Sequence, residues 1–130
     1  MEPIVGPERQ LVLEITVRNI ARSTAFYRSL GFELVRAEET FAELSWERCL
    51  LFLDERPDYR PPQAPSGNLR IMVANADELW ERCLALGAAV FSPIENRYYG
   101  LRDFTILDPD GFGLRFATEL PATTTRAPAF

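Results

Sequence analysis

The chain repeats itself at a spacing of 56 residues, and this constrains its fold more than any other feature: Leu13, Val17, Asn19 and Gly31 return as Leu69, Val73, Asn75 and Gly87. Each copy carries the same grammar. In the first, Leu11, Leu13, Ile15 and Val17 alternate with Val12, Glu14 and Thr16, the period of a strand buried on one side. Asn19 then suits a helix N-cap. Ile20, Phe26, Tyr27 and Leu30 recur at helical spacing, and Gly31 can stop the helix in a left-handed conformation after about three turns. Strand-like runs at 32–36, 40–46 and 49–53 complete a βαβββ unit.

The second copy opens with Leu69, Ile71 and Val73 in alternation. Asn75 with Glu78 forms a capping box, and Ala76, Leu79, Trp80, Cys83 and Leu84 make an apolar helical face ending at Gly87. Strands follow near 88–94, 102–107 and 112–118, the last two joined by Asp108-Pro109-Asp110-Gly111, whose residue types specify a tight turn. The stretch from Pro57 to Gly67 holds four prolines and reads as an extended connection. The expectation is therefore one α+β domain over residues 1–130. It comprises units of about 10–54 and 68–118, a linker at 55–67 and a loose tail at 119–130. Each helix covers one face of a curved mixed sheet, and the opposite faces line a concave groove.

Composition narrows the function. A formal charge of −5 offers no basic stripe for a phosphate backbone, so nucleic acid is not an expected partner. The longest apolar run, Cys49 to Leu53, is too short to span a bilayer, and Glu2, Glu8 and Arg9 occupy the region where a secretory leader is apolar. A cytoplasmic protein with no membrane partner is expected. Cys49 and Cys83 are read as reduced thiols. The chain has no histidine, which removes the usual base near neutral pH and the commonest zinc or iron ligand.

By alternation the groove is lined by Val12, Glu14 and Thr16, by Leu50 and Phe52, by Asn68, Arg70 and Met72, and by Gly113 and Arg115. Charges facing a groove are costly unless paired or wet, so Glu14, Arg70 and Arg115 are candidates for a ligand site, an internal ion-pair network, or both. Glu38, Glu39, Glu43 and Glu47 flank the third strand and would draw in a cation. Glu43 shares the predicted face of Phe41.

Three stretches, in this order on the repeat, resemble the vicinal-oxygen-chelate superfamily of glyoxalases, bleomycin-resistance proteins and dioxygenases. They are Val17-Arg18-Asn19 through Tyr27 to Leu30-Gly31-Phe32, then Asn68 to Asp77, then Gly100-Leu101-Arg102-Asp103-Phe104 with Asp108-Pro109-Asp110-Gly111. The resemblance implies a divalent metal held by four groove-facing positions, which align here with Val12, Phe52, Asn68 and Arg115. Two are apolar, one is a weak neutral donor and one is a fixed cation, so no metal or other cofactor is expected.

Thr40-Phe41-Ala42-Glu43, Leu51-Phe52-Leu53, Asp77-Glu78-Leu79-Trp80 and Tyr99-Gly100 are most similar to the metal-free bleomycin-resistance branch. That likeness implies a homodimer and an aromatic clamp at Phe41 and Tyr99, with Tyr99 standing where tryptophan is usual. The expected function is sequestration of an amphipathic aromatic small molecule, cationic drugs included. The expected ligand-binding residues are Phe41, Tyr99, Glu43, Phe52, Glu14, Arg70, Arg115 and Asn68, with no catalytic residue. The alternatives are a metal-independent enzyme with Glu14 or Glu43 as base and Arg115 steadying negative charge, or a non-catalytic interaction module.

Overall fold

The computed structural model describes residue 2 and residues 5–122, and these divide into two compact units, Met1–Pro61 and Pro62–Phe130. In the first, a short helix α1 (Pro7–Gln10) precedes β1 (Leu13–Val17), α2 (Ile20–Leu30), β2 (Glu33–Ala37), β3 (Phe41–Trp46) and β4 (Cys49–Glu55). The second runs β5 (Asn68–Met72), α3 (Ala76–Ala85), β6 (Ala89–Asn96), β7 (Leu101–Leu107) and β8 (Gly113–Glu119). Each unit is thus βαβββ, and the chain is α+β. The single-turn α1 has no counterpart in the sequence reading, because only Pro7 at its first position and Glu8 in its first turn announce it.

The two sheets have the same topology, β1-β4-β3-β2 and β5-β8-β7-β6. In each, the first and last strands pair in parallel (Leu13 with Leu51, Leu69 with Leu114) and the other neighbours are antiparallel. Side-chain alternation sends one face of each sheet to its helix. Ile15, Val17, Leu44, Leu51 and Leu53 are buried in the first unit, where Tyr27 and Leu30 of α2 are fully enclosed. In the second unit Leu114, Phe116, Phe104 and Ile106 are enclosed, and Leu79 and Cys83 of α3 are buried. Trp80 meets the Phe104 ring edge-on at 5.1 Å, and Phe104 stacks on Phe116 at 5.5 Å. Burial pushes the Cys83 thiol up to about 11, and both cysteines are free thiols.

The helix starts confirm the repeat at atomic detail. The Asn19 side chain accepts from the Arg22 N–H at 2.9 Å, and that of Asn75 accepts from the Glu78 N–H at 3.3 Å. A second free N–H in each first turn is met from the last strand, Ile20 by the Glu55 carboxylate at 2.8 Å and Ala76 by the Thr118 hydroxyl at 2.7 Å. Gly31, at φ 127°, closes α2, and Gly87, at φ 71°, follows α3.

Two features of the second unit position its open face. In the turn between β7 and β8, the Asp108 carboxylate accepts from the backbone N–H groups of Asp110 and Phe112, both at 2.9 Å, which sets the start of β8. Between β6 and β7, Gly100 N–H donates to the Arg97 carbonyl at 3.2 Å and Gly100 itself sits at φ 89°. This is a three-residue hairpin of Tyr98, Tyr99 and Gly100, with glycine at the left-handed position. Pro93 falls in the edge strand β6, where the ladder pairing is interrupted between Ser92 and Glu95. Glu119, expected in the tail, ends β8; of that tail, residues 123–130 lie outside the described residues.

Candidate functional site

The open face of the second sheet is built from alternating positions of four strands. Asn68, Arg70 and Met72 of β5 stand in register with Gly113, Arg115 and Ala117 of β8, and Thr105 and Asp103 of β7 stand beside Arg115 and Ala117. The face bounds a concavity of about 610 Å³ whose lining includes Asn68, Phe91, Arg97, Tyr98, Tyr99, Asp103 and Arg115. Gly113 forms part of its wall; a Cβ there would lie 3.1 Å from the Asn68 Cβ, so the absent side chain keeps this stretch of the face open.

Asp103 is the centre of the site. Its carboxylate is only 3% exposed and accepts four hydrogen bonds: Arg97 Nε at 2.7 Å, Arg115 Nε at 3.0 Å, Arg115 Nη2 at 2.7 Å and the Tyr99 hydroxyl at 2.7 Å. Desolvation alone would raise its pKa, but the donors from Tyr99, Arg115 and Arg97 outweigh burial and hold the carboxyl below the usual range. The same environment raises the Tyr99 phenol, first by desolvation and then by its hydrogen bond to Asp103. Arg97 is further tied to Glu95, to the Ser92 hydroxyl at 3.0 Å and to the Pro93 carbonyl at 2.8 Å. Arg115 donates to the Tyr99 oxygen at 2.5 Å and lies 5.1 Å from the centre of its ring.

Tyr99 is therefore a clamped residue, its ring held by a cation and its hydroxyl by an ion pair, while the neighbouring Tyr98 is 74% exposed and meets it edge-on at 5.2 Å. With three of its four hydrogen bonds on Oδ2 and one on Oδ1, Asp103 is held as an anion by two arginines and a tyrosine, which lowers its basicity towards a substrate proton. The arrangement can stack a planar group and hydrogen-bond its polar edge, and its central carboxylate is made a weak base by its donors.

The first sheet presents a different face. Glu14, Phe52 and Glu43 are in register across β1, β4 and β3. Phe41 meets Phe52 edge-on at 5.2 Å and has the Arg36 guanidinium 5.1 Å from its ring centre. Glu43 is buried, 4% exposed, between Arg9 at 3.7 Å and Arg36 at 3.5 Å. Glu14 is exposed and has no ion-pair partner among the described residues. Phe41 also borders a smaller hollow of about 320 Å³ with Thr24, Arg28 and Glu38.

The eight expected binding residues thus fall on these two faces. Asn68, Tyr99 and Arg115 line the larger concavity, and Arg70 stands in register beside Arg115. Phe41, Glu43, Phe52 and Glu14 share the face of the first sheet. Arg115 finds its counter-charge in Asp103. Sequence reasoning missed Asp103 and Arg97. Asp103 was visible only as part of a motif, although its place on β7 corresponds to that of Phe41 on β3: Phe41 pairs with Asp54, and Asp103 with Ala117, on equivalent last strands.

Of the positions aligned with metal ligands, Val12 and Phe52 have no donor atom, Asn68 offers a neutral amide, and Arg115 brings a cation already bound to Asp103. This set does not fit a divalent ion. Among the described residues no group of three or more acidic, cysteine or histidine side chains is disposed to hold one.

Comparison with known proteins gives a consistent picture. The family model described as the glyoxalase/bleomycin resistance protein/dioxygenase superfamily matches residues 9–116. A bleomycin resistance protein from Geobacillus stearothermophilus is 28% identical, over 85% of this chain and 97% of that one. A bleomycin resistance determinant encoded on the transposon Tn5 superposes with a TM-score of 0.69 at 22% identity, covering 85% of this chain and 97% of the other. A bleomycin-binding protein complexed with bleomycin gives a TM-score of 0.69 at 21% identity, covering 85% and 98%.

Proposed function

The chain belongs to the glyoxalase/bleomycin resistance protein/dioxygenase superfamily, and from that premise we propose that it binds an amphipathic, aromatic small molecule and releases it unchanged. The observation that carries this reading is the buried Asp103 tied to two arginines and to Tyr99. A concavity whose aromatic wall is rigidly held, and whose central carboxylate is consumed by two arginines and a tyrosine, is suited to holding a planar group rather than to moving protons. The donor-poor set Val12, Phe52, Asn68 and Arg115 supports binding that needs no metal. The bleomycin resistance protein at 28% identity and the solved bleomycin complex of the same fold make bleomycin the first ligand to try.

The enzymatic alternative would rest on Glu14, since Glu43 and Asp103 are both held by arginine. Incubating the chain with bleomycin and with planar aromatic metabolites, then recovering each by mass spectrometry, separates the readings. Stoichiometric retention of unmodified ligand is the expected result, and turnover abolished by Glu14→Gln would replace it with catalysis.

We also infer a homodimer. The edge strand of each sheet leaves apolar side chains exposed, Val35 at 54% with Leu34 on β2 and Phe91 at 57% with Val90 on β6, and self-association would cover such patches. Light scattering at micromolar concentration should report twice the chain mass, and a monomer would contradict it.

A further inference from the structure

Beside the larger concavity stands one charge that the ion-pair network leaves unbalanced. Arg70 is exposed on β5 and stands in direct register with Arg115 on β8, on the same open face. Like charges at directly opposed strand positions repel. Arg115 is neutralised by Asp103, but Arg70 has no carboxylate partner among the described residues. Arg115 spends Nε and Nη2 on Asp103 and Tyr99 and leaves Nη1 unused. One position along the same face, Asn68 presents an exposed amide opposite Gly113, where no side chain intervenes.

We propose that this corner, Arg70 and Arg115 with Asn68, is a carboxylate subsite, so that the ligand class of the second sheet is a planar aromatic acid. The proposal rests on the binding reading above and names the polar end of its ligand. A planar carboxylate matches the guanidinium fork and can take one N–H from each arginine, relieving the repulsion between them. The aromatic body would then lie against the Tyr99 side of the same concavity, whose ring Arg115 already fixes. Charge and shape are read by adjacent groups. Arg115 serves both, holding Tyr99 with Nη2 and offering Nη1 to the acid.

The test uses three probes of one shape, 2-naphthoate, 2-naphthamide and 2-naphthylmethylammonium, titrated calorimetrically into the full chain. Naphthoate should bind at least about tenfold more tightly than naphthamide, an advantage of about 1.4 kcal/mol, and the ammonium most weakly. The advantage should shrink between low and high salt. In Arg70→Gln the ratio of naphthoate to naphthamide affinity should fall towards one, and Arg70→Lys should restore much of it, with thermal melts establishing that both variants fold. Equal affinities, a preference for the ammonium, or a ratio unmoved in Arg70→Gln would overturn the subsite while leaving an aromatic-binding protein. Failure of all three probes to bind would overturn the subsite, and only if bleomycin also fails to bind would the binding reading fall with it.

Discussion

Replacing Asp103 by Asn tests whether the centre of the second unit is an ion-pair hub. The substitution keeps shape and one acceptor oxygen but removes the charge that four donor contacts converge on. Arg97 would keep Glu95, Ser92 and the Pro93 carbonyl, whereas Arg115 would lose its only carboxylate among the described residues. Removing one member of a buried pair costs about 3–5 kcal/mol. The arginine side chains are 17% and 22% exposed, so water recovers part of that and about 3 kcal/mol is expected.

For a chain of this size that is a fall in Tm of roughly 10 °C. Urea melts monitored by circular dichroism would read it as a lower midpoint at unchanged slope. The pH dependence supplies an independent check. A carboxyl whose folded pKa lies below its unfolded value contributes stability that is present above about pH 4 and lost as pH falls through the folded value. Wild type should therefore lose more stability on acidification than Asp103→Asn. A variant within about 0.5 kcal/mol of wild type, with a parallel acid profile, would refute the hub.

Other consequences are equally direct. Tyr99 is held protonated by burial and by Asp103, so in an alkaline difference titration Tyr99→Phe should remove a late-ionising component from the wild-type curve, and an unchanged late limb would contradict it; its stabilising effect is complete below about pH 10 and lost as pH rises through the raised value. Glu47 sits at φ 53° in the two-residue turn between β3 and β4, a conformation that favours glycine, and Glu47→Gly should raise stability by about 0.5–1 kcal/mol in the same melts; a loss would mean that the Glu47 side chain supports the turn. Alanine at Tyr99 should weaken a bound planar aromatic by roughly 1–3 kcal/mol, and alanine at Phe41 would do so only if the first sheet's face also binds; a drop in Tm with unchanged affinity per folded molecule would mark either ring as packing alone.

How far the sequence carried the account can be seen residue by residue. The asparagine caps, the glycine stops and the faces of β1, β4, β5 and β8 were legible because each follows from local chemistry or a period of two, and the duplication checked one copy against the other. Asp103 was not legible as a hub: its partners lie six residues before it and twelve after, and only the G1-type hairpin at Gly100 brings Tyr99 and Arg97 back over it. Tyr99 was expected, from the resemblance alone, as one side of an aromatic clamp, and the hydrogen bonds of its hydroxyl with Asp103 and Arg115 were not legible, because a motif position says nothing about what the far end of a side chain meets. Glu43 was placed on the face of Phe41, but its enclosure between Arg36 of the neighbouring strand and Arg9 of α1 depends on contacts the local pattern does not encode.

The central claim is that the chain holds an aromatic ligand without metal and without changing it. Isothermal titration of bleomycin into the protein, run before and after exhaustive chelation and followed by mass analysis of the recovered drug, tests it most directly. The account predicts a saturable isotherm unaffected by chelation and a ligand of unaltered mass. A modified product, or binding that vanishes with the chelated metal and returns when it is restored, would contradict it.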